Sequence, residues 1–309
     1  MKHRIIVLLL VWGATTLATL TAHAQSNPWV SAYYAGWNQG YLPPSEIDYS
    51  AVTDIIHFAL LPQTNGSLDY LSNSISPANS AALVQAAHGA GRKALVCIGG
   101  WNTEGGFLGA TSGGTMNTFV SNIVSFTTSR GYDGVDIDWE PLNAGDANQY
   151  VAFITALRTA LDGVSPRPML TAATGWQPAI IAQVQSKLDQ VNIMTYDMSG
   201  PWPGWVTWHN SPIYDGGFKF PSTGGYVPSA NGMVDDFVSG GIAANKLGIG
   251  IDFYGYVWSG GTGTPSGGAT APRQSWSAAP SLQSNVPYYT ILQNYYQSAN
   301  ERWDSSADW

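Results

Sequence analysis

Apolar, strand-like runs alternate with amphipathic, helix-like stretches along most of this chain. Seven strands are predicted: Val30–Tyr34, Asp54–Leu60, Lys93–Ile98, Gly134–Glu140, Met169–Thr174, Val191–Tyr196 and Leu247–Tyr254. Helices are predicted at Asn79–Ala90, Met116–Thr128, Ala147–Leu161, Pro178–Lys187 and Gly232–Val238. This alternation is typical of parallel βα units, so the pattern predicts an α/β fold built as a (β/α)₈ TIM barrel. A doubly wound open sheet is the rival, but no glycine-rich dinucleotide or phosphate loop opens any predicted helix.

The last part of the chain lacks the pattern of an eighth strand. After Gly255 there is a Gly/Ser/Thr/Pro stretch to about Ala279, then a helix-like run at Tyr288–Ala299, and no β-branched run closes the sequence. The barrel is therefore expected to be incomplete at its C-terminus. The free edges of the first and seventh strands would then favour aggregation.

The segment Gly131–Pro141 carries the strongest chemical signal. Asp136, Asp138 and Glu140 stand at alternate positions, and apolar residues separate them. Alternation along a strand places all three carboxylates on one face. Because burying charge without compensation is costly, such a row indicates a site that binds a ligand or shares protons.

Two other interpretations of the acidic row compete with catalysis. Calcium loops also space acidic residues by two, but they require turn formers and a glycine, whereas Val135, Ile137 and Trp139 favour extended backbone. A purely structural row of acids is disfavoured because unpaired buried carboxylates are rare. The sequence therefore predicts a catalytic site without a metal ion.

The acidic segment resembles the signature of the family 18 glycoside hydrolases, the chitinase family. The family pattern DGxDxDxE is matched from Asp133 to Glu140. Met194–Asp197 (MTYD) is similar to the family's sixth-strand motif, and Lys93–Trp101 (KALVCIGGW) to its third strand, with Cys97 in place of the usual serine.

Two weaker similarities extend the resemblance to roughly residues 29 to 309. Val30–Trp37 resembles the first strand of the family, and Leu247–Gly255 resembles the seventh. In the second of these, Asp252 stands where the family commonly has proline, and no role is predicted for its carboxylate.

The position of Glu140 at the end of its strand makes it the predicted general acid, which donates a proton to the glycosidic oxygen. The resemblance implies that Asp138 orients the sugar's 2-acetamido group, whose carbonyl oxygen attacks the anomeric carbon. Asp136 would share a proton with Asp138. Tyr196 and Asp197 would hydrogen-bond the acetamido carbonyl and the sugar hydroxyls, although Tyr196 is also explained as a core tyrosine at a strand end.

Aromatic residues after predicted strands are candidates for stacking on sugar rings. Trp37 and Trp101 each follow a strand directly, and Trp205 and Trp208 belong to an aromatic loop after the MTYD motif. Loop tryptophans also serve as lids on a core, and that alternative stays open for this loop. The residues predicted to bind substrate are Asp197, Met194, Trp37, Trp101, Trp205 and Trp208.

Composition agrees with a neutral sugar substrate. The net charge is −8 with only 12 Lys and Arg, which argues against a nucleic-acid partner. The 13 Trp and 16 Tyr supply flat apolar surfaces in a chain that is 10% charged. No cofactor is expected.

Residues 1–24 are predicted to be a signal peptide, with a basic start, a short apolar core and small residues before the cleavage site. Residues 25–309 are predicted to form one catalytic domain, secreted and without a membrane span. Cys97 is the only cysteine, so no disulfide forms within the chain, and it is interpreted as a buried structural thiol.

The resemblance thus implies a secreted chitinase that cleaves β-1,4 bonds of chitin or N-acetylglucosamine oligomers with retention. Two alternatives remain: an endo-β-N-acetylglucosaminidase that acts on N-glycans, and a non-catalytic chitin-binding lectin.

Overall fold

The computed structural model describes residues 28–309, so the predicted signal peptide lies outside the described residues. The strands are β1 (Ser31–Ala35), β2 (Asp54–Pro62), β3 (Leu68–Asp69), β4 (Lys93–Gly100), β5 (Gly134–Trp139), β6 (Met169–Thr174), β7 (Gln190–Ile193), β8 (Leu247–Ile249), β9 (Tyr254–Ser259) and β10 (Ser281–Pro287). The α-helices are α1 (Pro77–Gly89), α2 (Glu104–Ala110), α3 (Met116–Ser129), α4 (Ala147–Asp162), α5 (Pro178–Val184), α6 (Ala230–Ser239) and α7 (Tyr288–Asn294).

Seven parallel strands form one curled sheet in the order β1-β2-β4-β5-β6-β7-β8, and the short β3 pairs antiparallel with the end of β2. Between successive parallel strands the chain crosses over mainly through helices, and α3, α4, α5 and α6 pack side by side outside the sheet. The predicted (β/α)₈ architecture with seven visible strands is confirmed. Within residues 28–309, β1 pairs only with β2 and β8 only with β7, so the sheet is open between them.

The two faces of each strand have different neighbours. On β5, the side chains of Val135, Ile137 and Trp139 are buried in the core between sheet and helices. Phe107 of α2 stacks on the Trp139 ring with centroids 4.5 Å apart. The opposite face of the sheet holds a smaller apolar cluster of Ile56, Ala59, Leu95 and Cys97. Cys97 is buried in this inner cluster, which is consistent with its interpretation as a structural thiol.

The entrance to β5 is fixed by Asp133. Its carboxylate accepts a hydrogen bond from the Ala94 N–H and contacts His88 Nε2, both at 2.8 Å. This bond ties the start of β5 to the start of β4. Asp133 therefore has a structural role at the strand entrance.

The predicted strand Leu247–Tyr254 is not continuous. Strand β8 ends at Ile249, and the chain resumes as β9, which pairs antiparallel with β10. The break falls at Gly250, where a Cβ atom would come within 2.6 Å of the Tyr196 ring. The hairpin β9–β10 occupies part of the stretch that the sequence predicts to be irregular. Val191–Tyr196 is likewise shorter than predicted, because β7 ends at Ile193.

The last residues pack on the long loop after β7. The Asp304 carboxylate accepts hydrogen bonds from Arg273 Nη1 at 2.5 Å and from His209 Nε2 at 2.8 Å. Arg273 also lies over the Trp208 ring, 5.0 Å from its centroid. Ala307 is buried in an apolar cluster with Val206, Trp208 and Val227. This contact holds the loop and the C-terminal segment together.

No helix within residues 28–309 is both long enough and apolar enough to cross a membrane.

Candidate active site

The predicted row of acids lies on the inner face of β5. Asp136 and Asp138 are buried, and Glu140 follows the strand at its carboxyl end, half-buried. The Glu140 carbonyl accepts hydrogen bonds from the N–H groups of Thr103 and Glu104, at 2.9 and 3.1 Å. These bonds fix the backbone of Glu140 where barrel enzymes carry their active sites.

Close packing of β4 on β5 requires glycine beside Asp138. Gly99 has φ +119°, and a Cβ atom there would lie 1.9 Å from the Asp138 carbonyl oxygen. Gly100 has φ +108°, and a Cβ there would touch the Phe58 ring at 2.9 Å. The two glycines of the KALVCIGGW segment therefore let the acid-bearing strand approach its neighbour.

Asp136 is the most fully hydrogen-bonded acid. Its Oδ1 accepts from Thr171 Oγ1 at 2.5 Å, and its Oδ2 accepts from the Tyr33 hydroxyl at 3.0 Å. Strand register also places it beside Cys97. Burial raises the pKa of Asp136, and the bonds from Thr171, Tyr33 and Cys97 oppose that rise. Sequence analysis assigned no role to Thr171 or Tyr33, because the contacts depend on strand pairing.

Asp138 lies between the other two acids and is the least satisfied. Its Oδ1 is buried and has no hydrogen-bond partner among residues 28–309. Burial raises its pKa well above the usual range, and the charges of Glu140 and Asp136 raise it further. Burial also raises the pKa of Glu140, a bond with Asp138 lowers it, and the charge of Asp197 raises it again. The group thus retains protons that exposed carboxyls lose, and Asp138 offers a free acceptor to a ligand.

The MTYD motif follows β7 and faces the acids. Burial raises the pKa of Tyr196, and the charges of Asp138, Glu140 and Asp197 add to this effect, which shows that these groups are close. Met194 is half-buried, and its N–H donates to the Thr174 carbonyl at 2.8 Å. The structure therefore brings four of the predicted site residues, Asp138, Glu140, Tyr196 and Asp197, to one region.

Two tyrosines that sequence analysis missed reach Asp197 from the hairpin. The hydroxyls of Tyr254 and Tyr256 both donate to Asp197 Oδ1, at 2.8 and 2.6 Å. They stand two positions apart on β9, so their side chains share a face. The signal for them was an alternating aromatic run directly after the seventh strand.

Trp37 and Trp101 lie on the same rim as Glu140, each just after the end of its strand. Trp37 is 50% exposed and packs edge-on against Phe58, whose ring in turn packs edge-on against Tyr33. Because Tyr33 bonds Asp136, this aromatic row leads from the rim to the acids. Trp101 is 77% exposed. Both indole faces are available to a ligand.

The aromatic loop divides into exposed and buried tryptophans. Trp205 is half-buried and, with Trp276, lines a shallow cavity of about 270 Å³. Trp208 is buried in the cluster under the loop, and its Nε1 donates to the Pro228 carbonyl at 2.8 Å. The burial of Trp208 with Val206 and Val227 favours the alternative of a lid on the core, and its role in binding substrate stays a prediction.

Within residues 28–309, no group of three or more His, Cys, Asp or Glu side chains is arranged to hold a metal ion.

Comparison with known proteins identifies the family. The family model described as "Glycosyl hydrolases family 18" matches residues 30–308. "Chitinase 1" of Aphanocladium album is 31% identical over 192 residues, which cover 57% of this chain and 44% of that protein. "Chitinase A1" of Niallia circulans is 29% identical over 236 residues, which cover 66% of this chain and 32% of that protein. The chain thus spans less than half the length of these curated relatives.

A solved structure shows the same fold. The glycoside hydrolase family 18 N-acetylglucosaminidase from Paenibacillus barengoltzii superposes with a TM-score of 0.74 at 23% identity, over 91% of this chain and 84% of that one. Since the family model spans nearly all described residues and includes the acids of β5, the chain belongs to glycosyl hydrolases family 18.

Proposed function

We propose that this protein hydrolyses β-1,4 bonds between N-acetylglucosamine units of chitin, with retention and with the substrate's own acetamide as nucleophile. The observation that carries the proposal is the pairing of two acids with different surroundings. Glu140 stands at the rim with a raised pKa, and the buried Asp138 beneath it keeps an oxygen without a partner among the described residues.

These surroundings suit separate tasks. Glu140 gives its proton to the glycosidic oxygen as the bond to the anomeric carbon breaks. Asp138 Oδ1 accepts the acetamido N–H, so that the acetamido carbonyl oxygen can bond to the anomeric carbon. Water then attacks that carbon, Glu140 takes the water's proton, and the acetamide is released. Tyr196 donates its hydroxyl to the acetamido oxygen.

The aromatic rim supports a sugar polymer as substrate. Trp37 and Trp101 are exposed on the side of the barrel where Glu140 follows β5, and Trp205, which comes after the MTYD motif in the sequence, lines a cavity. Asp197 and Met194 complete the proposed contacts. The proposed substrates are chitin and N-acetylglucosamine oligomers. Export by residues 1–24 would bring the enzyme to chitin outside the cytoplasm.

Hydrolysis of chitin oligomers by three proteins tests the assignment of the acid. Glu140→Gln keeps the shape of the side chain but has no acidic proton to donate, so turnover is expected to fall on the order of 10²–10⁴-fold while binding persists. Glu46→Gln makes the same change at an exposed position away from the site and should leave turnover unchanged. Equal turnover in the Glu140→Gln and wild-type proteins would remove Glu140 from its role.

The substrate separates the alternatives. An acetamide nucleophile requires N-acetylated sugar, so fully deacetylated oligomers are expected to resist cleavage, and the first product of chitin oligomers is expected to have the β configuration by NMR. Release of N-glycans from a high-mannose glycoprotein, with no action on chitin, would favour the N-glycan enzyme. Chitin binding without any hydrolysis would favour the lectin.

A further inference from the structure

Asp252 is a carboxylate that the proposed mechanism leaves without a task. It follows β8 and stands where the family resemblance leads one to expect proline, a residue without a polar side chain. Its side chain is half-buried, and its Oδ2 accepts a hydrogen bond from Asn210 Nδ2. A partly buried acid that bonds a buried amide calls for an explanation.

Asn210 connects Asp252 to the backbone of Asp197. The Asn210 side chain is buried, and its Oδ1 accepts the Asp197 N–H at 3.1 Å. The Asn210 carbonyl also accepts the N–H of the next residue, Met198, at 3.0 Å. An ionised carboxylate only accepts hydrogen bonds. Asp252 therefore holds the Asn210 amide with its NH₂ group toward Asp252 and its oxygen toward the Asp197 N–H.

Asp197 has a left-handed backbone conformation, and the Asn210 bond fixes its N–H. Its φ is +59°, a left-handed conformation that, besides glycine, aspartate and asparagine adopt most readily. Its side chain is held separately by the hydroxyls of Tyr254 and Tyr256. The backbone bond and the side-chain bonds together hold the Asp197 carboxylate in place, and its charge raises the pKa of Glu140.

We propose that Asp252 is a positioning residue of the active site, which orients the Asn210 amide and through it fixes the backbone and carboxylate of Asp197. The effect on catalysis rests on the proposed function. The hydrogen-bond relay itself, from Asp252 through Asn210 to Asp197, is independent of the proposed function.

The relay predicts what Asp252→Asn changes. An amide at position 252 presents both a donor and an acceptor, so it no longer dictates the orientation of Asn210, and the flipped amide would place its NH₂ against the Asp197 N–H. The turnover number on chitin oligomers is expected to fall about tenfold, a size typical of coupled neighbours. A matched Asp236→Asn change on the exposed face of α6 should leave it unchanged.

A double-mutant cycle separates positioning from a structural role. If Asp252 acts through Asp197, adding Asp252→Asn to an Asp197→Asn protein should change turnover less than about twofold, although each single substitution is costly. Independent, multiplying losses would overturn the proposal. The chosen change at Asp197 keeps a residue that tolerates left-handed backbone.

A reciprocal exchange provides the positive test. Combining Asn210→Asp with Asp252→Asn restores one carboxylate and one amide in reversed positions, so both hydrogen bonds can form again. Turnover is expected to recover most of the tenfold loss, and no recovery would contradict the relay. The melting temperature of each variant shows whether it is folded. If Asp252→Asn does not fold, Asn210→Ala replaces it as the variant that breaks the relay.

A readout without substrate keeps the relay and the enzyme activity distinguishable. In ¹H–¹⁵N spectra, the Asn210 side-chain NH₂ and the Asp197 amide are expected to shift together in Asp252→Asn, and the Asp197 amide to return in the reciprocal exchange. A protein that shows these shifts but never cleaves chitin would refute the proposed function and retain the relay. Unmoved signals would refute the relay.

Discussion

At the scale of single residues, the site is built from carboxyl groups that the fold makes hard to ionise. Asp138 is buried, and the charges of Glu140 and Asp136 add to the effect of burial on its pKa. The folded protein therefore holds this proton more tightly than the unfolded chain. The resulting stability is fully present below the ordinary Asp value of 3.8 and is lost as the pH rises through the folded-state pKa.

Replacing Asp138 by asparagine should consequently stabilise the protein at neutral pH. Asp138→Asn removes the charge cost, and its NH₂ can donate to the neighbouring carboxylates, so we expect a melting temperature higher by about 2–4 °C at pH 7. The difference should narrow toward pH 4. Calorimetry at both pH values checks this, with Asp236→Asn as the control. Turnover is expected to fall at least about 10²-fold, and a lower melting temperature at pH 7 would contradict the account.

The charge of Asp197 should be visible in the pH dependence of the reaction. Asp197 raises the pKa of Glu140, so Asp197→Asn lowers that pKa, and Glu140 loses its proton at a lower pH. We expect the alkaline limb of the kcat/KM profile to move toward acid, because the general acid must be protonated. Profiles of Asp197→Asn and of the exposed control Asp236→Asn measure the shift. A limb that stays in place would show that Asp197 does not act on Glu140.

The sequence predicted the residues of the acidic row because alternation is local to one strand. It missed Tyr33, Thr171 and Asn210, whose contacts depend on which strands and loops become neighbours. The burial of Trp208 was not predicted for a related reason. The sequence around a loop tryptophan does not show whether its ring covers a core or faces a cleft. The packing of Trp208 with Val206 and Val227 becomes visible only in the folded structure.

At the scale of elements, the hairpin β9–β10 forms part of the site through two hydroxyl groups. The hydroxyls of Tyr254 and Tyr256, both on β9, donate hydrogen bonds to the Asp197 carboxylate. The sequence did not predict this hairpin, because β10 (SLQSNVP) lacks an alternating apolar pattern and pairs with β9 through its backbone. The helices α1, α3, α4, α5 and α6 and the barrel strands β1, β2, β4, β5 and β6, by contrast, were predicted closely. The short elements β3 and α2 were not predicted, because two and seven residues carry too little of a periodic pattern.

Removing both hydroxyls should loosen the hairpin without unfolding the barrel. In the double variant Tyr254→Phe with Tyr256→Phe, the Asp197 carboxylate loses two donors, each worth on the order of 1 kcal/mol. Hydrogen exchange at the β9 amides is expected to accelerate, and KM for chitin oligomers to rise several-fold. Tyr289→Phe, at an exposed site on α7, is the control. Unchanged exchange in β9 would show that these bonds do not hold the hairpin.

At the scale of the whole molecule, the sheet is open on one side. Within the described residues, the outer edges of β1 and β8 have no strand partner, and the residues after β8 expose apolar side chains. Ile251 is 72% exposed and Phe253 is 77% exposed. An open strand edge beside an apolar patch favours association between copies.

Charges in this patch should keep the protein monomeric. Ile251→Lys with Phe253→Lys adds repulsion next to the open edge, so light scattering at increasing concentration is expected to show less association than in the wild type. Val238→Lys, a similar change at an exposed position on α6, should have little effect. Equal association in all three proteins would place the contact elsewhere.

The two faces of β5 also have a consequence for the evolution of this chain. A change at Asp138 removes an unfavourable charge, so under the proposed function selection on catalysis alone would retain this acid. Changes to smaller residues at Ile137 or Trp139 leave cavities in a packed core and destabilise the folded protein. One strand of six residues is thus under two kinds of selection at adjacent positions. A lineage that no longer needed the reaction would lose the inner residues and keep the outer ones.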